Sequence, residues 1–286
     1  MTGAAGSDRD IVPVLSGGGG RLSAHVGVLR ALADLAIDYD TLVGVSGGGI
    51  VAALLAAGRP LDEIHDLALT TDFSQFAAQN VVSLLRTGGL SNGDAFQRWM
   101  DRELGGRSFN DLERDLRVVA TDVRSGGPVV FDREQHGDMR VAEAVRYSMS
   151  VPILFSFKEY EQKLLVDGSI LSEDALVRDW TGRGTPVVVF RLRSAHAAAE
   201  PAHAFPPARA YLELLVRAFL TTLSREYVND DFWLSTIVID AGTTSPMDLS
   251  LPPERKQELY RVAYDTTREI LPRKLAQRLE GASAAS

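Results

Sequence analysis

Thr41-Leu42-Val43-Gly44-Val45-Ser46-Gly47-Gly48 is the stretch on which the fold turns. Thr41–Val45 (TLVGV) is a short apolar run of the kind that forms a buried strand. It passes into Gly44-Val45-Ser46-Gly47-Gly48, a G-x-S-x-G pattern, and then into a helical run from about Gly47 to Ala57, with Gly58 and Pro60 as its C-terminal punctuation. A serine on so tight a strand-to-helix turn needs small neighbours such as Gly44 and Gly48, because bulk beside it would strike the sheet or the helix. The turn exposes the hydroxyl at a helix N-terminus, where the dipole and free N–H groups favour developing negative charge.

Working outward, Ile11–Leu15 (IVPVL) reads as an earlier strand and leads into Gly17-Gly18-Gly19-Gly20-Arg21. Consecutive glycines present bare N–H donors to an oxyanion that must come close. Beside Ser46 they would stabilise the tetrahedral intermediate of acyl transfer. A Gly-rich turn also serves tight packing or nucleotide phosphates. No Gly-Lys-[Ser/Thr] follows it, however, and the dinucleotide fingerprint fits only loosely, as Gly18-x-Gly20-x-x-Ser23. Between the two turns, Leu22, Val26, Leu29, Ala33 and Ala36 predict one buried helix stripe. Arg117–Thr121, Pro186–Leu192 and Thr236–Asp240 continue the strands, and Ser91-Asn92-Gly93-Asp94 has the capping-box pattern of a helix start. Strands alternating with helices predict an α/β fold with a mainly parallel sheet.

Composition narrows the chemistry. The 286 residues are 45% hydrophobic and carry 30 Lys and Arg against 38 Asp and Glu, a net charge of -8. That surface repels phosphate backbones, so no nucleic-acid partner is expected. With 0 Cys, thiolate metal sites, disulfides and a cysteine nucleophile are excluded. The start, MTGAAGSDRD, lacks the charged and apolar parts of a signal peptide, and the uncharged run Thr41–Gly58 is too short and Gly-rich for a membrane span. The expectation is a cytoplasmic protein, with peripheral membrane contact as an option. It comprises one domain over residues 11–280 between disordered tails at 1–10 and 281–286. The Ala/Pro-rich stretch Ser194–Ala208 reads as a surface connection.

The serine needs a base. A Ser–acid–His triad fits poorly, because only one strand precedes the elbow and the late histidines, His196 and His203, lie in the Ala/Pro-rich stretch. The alternative is Asp167 in Lys163-Leu-Leu-Val-Asp-Gly-Ser169, where an apolar strand delivers an aspartate onto a glycine turn. On spacing alone, an ordinary β-turn aspartate is the commoner reading.

Three motifs in order, GGGGRL, GVSGG and DGS, resemble those of the patatin-like phospholipases. Supporting stretches at Ser23–Leu32, Ala120–Phe131 and Ala144–Ile153 extend the similarity over residues 11–270. The resemblance implies a three-layer α/β/α patatin-like fold with a mainly parallel central sheet. It implies Ser46 as nucleophile, Asp167 as base, and an oxyanion hole of Gly18 and Gly19 N–H groups with Arg21 nearby. It implies no metal and no cofactor, and an acyl lipid or ester as substrate. The expected activity is that of a phospholipase, lysophospholipase or esterase; an acyltransferase with the same dyad, or a catalytically silent lipid-binding regulator, is the alternative. Two departures are Leu22 for the usual Gly after Arg21, which could narrow or reshape the oxyanion loop, and Ser169, a small residue of little expected effect, for Ala or Gly. The stretch ILSEDAL after it lacks the Asn-Pro pair often found there.

Other residues divide between chemistry and structure. Arg21 is open between oxyanion or lipid-phosphate contact and a structural salt bridge. His25 reads as a packed, hydrogen-bonded histidine. Asp132-x-Glu134-x-His136-Gly137-x5-Glu143 approaches a calcium loop, but histidine is a poor calcium ligand, and a solvated hairpin loop is expected instead. A helix over Pro253–Glu280 is expected to pack Leu271, Leu275 and Leu279 on the domain. Val151–Phe157 (VPILFSF) is a candidate wall for an acyl-chain pocket.

Overall fold

The computed structural model describes residues 10–76, 89–171, 173–194 and 230–285. The expected N-terminal tail, apart from Asp10, lies outside them, as do His196, His203 and most of the Ala/Pro-rich stretch. In chain order the elements are β1 (Val12–Ser16), α1 (Leu22–Asp34), β2 (Thr41–Val45), α2 (Gly47–Ala56) and α3 (Leu61–Thr70). Then follow β3 (Gly89–Ser91), α4 (Asp94–Glu103), β4 (Asp115–Asp122), β5 (Pro128–Phe131), α5 (Arg133–His136) and α6 (Val141–Ser148). The chain continues with β6 (Ile153–Phe155), β7 (Lys158–Tyr160), β8 (Lys163–Asp167), α7 (Glu173–Leu176), β9 (Val187–Arg193), β10 (Thr236–Asp240) and α8 (Pro253–Ala285).

The main sheet runs β10-β9-β1-β2-β4-β8-β7, with β5 also on β4. The pairings from β10 through β4 are parallel, whereas β5, β8 and β7 join antiparallel. Strand alternation divides the apolar side chains between two faces. Leu15, Leu42, Val118 and Phe190 enter the larger core with residues of α1, α2 and α8. Val14, Val43, Val119 and Val189 point the other way and meet Leu171, Leu176 and Trp180. Cover on both faces makes the three-layer α/β/α arrangement.

Register then sets up the site. Val118 and Val119 of β4 pair with both β2 and β5, and Ala120 and Thr121 pair with both β5 and β8. A strand has two edges, so β2 and β8 must lie end to end along the same edge of β4. One is parallel to β4 and the other antiparallel, so their C-terminal ends face each other. Val45 sits opposite Val119, and Asp167 sits opposite Ala120.

The elbow glycines are there for room. A Cβ on Gly44 would lie 2.6 Å from the Gly49 Cα, and one on Gly48 would lie 2.1 Å from the Leu15 carbonyl oxygen. The nearest atoms to a Cβ on Gly49 are at 3.7 Å, an ordinary contact. Gly48→Ala is therefore expected to destabilise the fold by about 3 kcal/mol through overpacking against backbone. Gly49→Ala should be neutral or stabilise by up to about 1 kcal/mol through helix propensity. Urea midpoints of the two variants check this opposite pair.

Several local expectations change. Helix α1 has no single stripe: it is buried on every side from Leu22 to Leu29 and again at Ala31 and Leu32. Ala33 is exposed, and Ala36 lies beyond the helix with φ 50°. The reason is that α8 covers its outer side, and a Cβ on Gly27 would lie 2.2 Å from the Tyr260 carbonyl oxygen. Ser91 does not cap α4. It ends β3, and the cap is left-handed Gly93, whose missing Cβ leaves room for the Arg146 guanidinium. The calcium-like stretch is a helical turn rather than a hairpin loop. Asp132 accepts from the Gln135 N–H at 2.8 Å and pairs with Arg117 at 2.7 Å. Helix α8 continues past Glu280 to Ala285, with Pro272 inside it. Among the described residues no helix is long and apolar enough to cross a membrane, and no cluster of acidic and histidine side chains could hold a metal ion.

Candidate active site

Ser46 stands between β2 and α2 with φ 54° and ψ -128°. A non-glycine residue there costs on the order of 1–3 kcal/mol, which the surroundings must hold in place. Its Oγ donates to Asp167 Oδ2 at 2.6 Å, and the Met149 sulfur is 3.6 Å away. Both residues are buried, Ser46 at 3% exposure and Asp167 at 0%. Asp167 Oδ1 accepts the Ser169 N–H at 2.7 Å. Burial pushes the Asp167 carboxyl above its ordinary range, with the bonds from Ser169 and Ser46 opposing.

Residues 148–150 strap this pair together. The Ser148 hydroxyl accepts the Ser46 N–H at 2.8 Å and donates to the Val119 carbonyl at 2.5 Å. Two residues on, the Ser150 carbonyl accepts the Asp167 N–H at 3.0 Å. The strap is anchored by Arg146, whose guanidinium donates to Ser150 Oγ at 2.7 Å and to the Asn92 and Ser156 carbonyls at 2.8 and 3.1 Å. These residues lie inside the stretch Ala144–Ile153, but nothing in their order announces the task. A serine bridging two backbone groups from distant strands has no sequence period.

The loop after β1 lies against the start of α2. Gly17, Gly18 and Gly19 have φ 74°, 130° and 54°, values that only glycine adopts readily. A Cβ on Gly19 would lie 1.9 Å from the Pro246 carbonyl oxygen. The Gly17 N–H is spent on Val45 and that of Gly20 on Pro246. The N–H groups of Gly18 and Gly19, and that of Gly47 at the start of α2, have no acceptor among the described residues. Gly47 was not singled out from sequence, although it occupies the variable place directly after the elbow serine.

Arg21 is buried without an ion pair among the described residues, so the salt-bridge reading is corrected. Its Nε donates to the Gly18 carbonyl at 2.9 Å, and its terminal nitrogen donates to Ser194 Oγ at 2.6 Å and the Thr244 carbonyl at 3.3 Å. Burial lowers its pKa to about 10, against the pull of Asp248. Leu22 starts α1 and packs in the main core, beside the space a Cβ on Gly47 would take.

Ser46, Asp167, Gly18, Gly19 and Arg21 all line one cleft. Its walls are apolar, with Val151 and Phe155 on the expected stretch and Leu171, Leu176, Leu192 and Leu249 around them. The described geometry is thus a serine–aspartate pair at a strand–helix elbow that lines an apolar cleft together with a glycine loop.

The family model for patatin-like phospholipases matches residues 14–176, a span that includes both Ser46 and Asp167. The chain belongs to the patatin-like phospholipase family. It is 32% identical over 183 residues to YqhO of Bacillus subtilis, covering 56% of this chain and 63% of that protein. It is 28% identical over 164 residues to the NTE family protein Rv2565 of Mycobacterium tuberculosis, covering 57% and 27%. The match thus spans less than two thirds of either relative. Among solved structures, VipD from Legionella pneumophila matches with a TM-score of 0.59 and 16% identity, over 93% of this chain and 67% of VipD. ExoU of Pseudomonas aeruginosa, solved with SpcU, matches with a TM-score of 0.57 and 17% identity, over 93% and 53%. At such identities the likeness is one of fold.

Proposed function

We propose that this protein is a serine acyl hydrolase acting on acyl lipids through a Ser46–Asp167 dyad. The observation that carries the reading is the 2.6 Å hydrogen bond from Ser46 Oγ to Asp167 Oδ2 in the lining of an apolar cleft. Ser46 Oγ attacks the ester carbonyl carbon while its proton passes to Asp167. The carbonyl oxygen becomes an oxyanion and is met by the Gly18 and Gly19 N–H groups, with the positive end of α2 beneath it. Collapse of the intermediate expels the alcohol, which takes the proton from Asp167, and leaves the acyl group on Ser46. Water then attacks this acyl-enzyme, giving its proton to Asp167, and collapse releases the fatty acid while Ser46 Oγ takes that proton back from Asp167, restoring both groups. The apolar walls would bind the acyl chain. Family membership favours phospholipids or lysophospholipids as substrates.

The test is labelling with a fluorophosphonate probe, followed by peptide mass spectrometry, alongside turnover of a soluble p-nitrophenyl ester and of phosphatidylcholine and lysophosphatidylcholine vesicles. Probe attachment at Ser46 with release of free fatty acid is the expected result. Acyl transfer to an added alcohol in place of fatty acid would move the reading to an acyltransferase. Neither labelling nor turnover would overturn it in favour of a silent lipid binder.

A further inference from the structure

We propose that His25 is a positioning residue for the oxyanion hole: its imidazole clamps the Gly17 carbonyl and thereby aims the Gly18 N–H into the cleft. The inference rests on the hydrolase reading above and adds to it a residue outside the three motifs.

The geometry starts from the peptide bond between Gly17 and Gly18. A trans peptide points its C=O and N–H in opposite directions, so whatever holds the carbonyl also directs the amide. The Gly17 carbonyl accepts two bonds, one from His25 Nε2 at 2.8 Å and one from the Gly48 N–H at 2.8 Å. Both lone pairs are then engaged, and the peptide plane is held from two sides. The Gly18 N–H, on the opposite edge of that plane, has no acceptor among the described residues, and Gly18 lines the cleft. Without such an anchor, a run of glycines at φ 74°, 130° and 54° has no side chains to restrict it. The Gly48 bond further ties the loop to the helix that carries Ser46. The next peptide is treated alike, since Arg21 Nε holds the Gly18 carbonyl and so directs the Gly19 N–H.

The protonation state of His25 follows from its partners. A carbonyl can only accept, so Nε2 must carry the hydrogen. Nδ1 is buried with no partner, which suits a bare lone pair and would orphan a second N–H. Burial, aided by the charge of Arg21 and opposed by the Gly17 bond, pushes His25 down to about 4, so the ring is neutral near pH 7. A neutral donor holds the loop without placing a second buried cation beside Arg21.

The experiment compares wild type with His25→Leu and His25→Gln on a soluble p-nitrophenyl ester, with circular dichroism and urea midpoints to verify folding. His25→Leu should lower kcat about 10- to 100-fold, part of the effect of losing an oxyanion donor outright. KM should stay within about twofold, because the interaction matters only once the oxyanion forms. His25→Gln, which returns an amide donor at similar reach, should recover most of kcat, whereas a purely structural role predicts no such rescue. Nitrogen-15 NMR of the wild type should show His25 as the Nε2–H tautomer near neutral pH, a result that needs no variant to fold. Turnover by wild type with an equal kcat in folded His25→Leu, or a spectrum showing the Nδ1–H tautomer, would overturn the inference alone. Absence of turnover in the wild type would instead overturn the hydrolase reading, and this inference with it.

Discussion

Ser46→Ala is expected to abolish probe labelling and to lower ester turnover by about 10⁶-fold, the scale seen when a nucleophilic serine is removed. The magnitude follows from the arrangement around the hydroxyl. With the hydroxyl removed, the buried Asp167 keeps its place as a base but has no nucleophile to deprotonate, and no acyl-enzyme can form. Ser46→Gly should be equally inactive yet more stable. It relieves the strain of a non-glycine residue at φ 54° and ψ -128°, worth on the order of 1 kcal/mol or more. An inactive variant with a raised urea midpoint would show that the elbow holds its serine at the expense of stability. Turnover retained in either variant would remove Ser46 from the mechanism.

Asp167→Asn should lower kcat by about 10⁴-fold while leaving the fold intact, since the amide oxygen can keep the Ser169 N–H and the amide NH2 can donate to Ser46 Oγ, but the side chain cannot take the serine's proton. In the wild type, activity should fall on the acid side as Asp167 becomes protonated, with the midpoint above the ordinary carboxylate range because burial raises this group. His25, pushed down to about 4, stays neutral over most of that range and does not shape the limb. Stability should move the other way. A carboxyl whose native pKa is raised contributes most stability below its unfolded pKa, and loses that contribution as pH rises through the native value. Asp167→Asn has nothing to ionise, so its stability advantage over wild type should grow across that window and then level off. Urea unfolding of both proteins over a pH series measures it. An advantage that shrank with rising pH would show that Asp167 is instead stabilised as an anion.

The features legible in the sequence were those built from neighbours along the chain. Thr41–Val45 and Thr236–Asp240 are strands with the bounds their residues predict, and Arg117–Thr121 lies within β4. The glycines of both turns were legible because bare backbone and positive φ leave a compositional mark. The failures share a different origin. The period of α1 predicts a buried stripe through Ala33 and Ala36, but α8, far along the chain, covers the helix nearer its start and both residues are exposed. Ser91 looked like a cap until the Arg146 guanidinium, from a helix far along the chain, claimed the turn at Gly93.

The same division runs through the site. Chain order alone indicated a serine on an elbow, a glycine loop and an Asp-Gly turn, because each is a local backbone requirement written in adjacent residues. That Ser46 and Asp167 meet, 121 positions apart, is a consequence of sheet register: β2 and β8 share one edge of β4 and run into each other. The same is true of Ser148 on the Ser46 amide, 102 positions away. Arg21 likewise read as a candidate salt bridge from its type, and its place in the fold gave it carbonyl and hydroxyl oxygens instead. A buried donor takes whichever acceptor the packed layers bring within 3 Å, and the identity of that partner is set by the fold, not by the residues on either side.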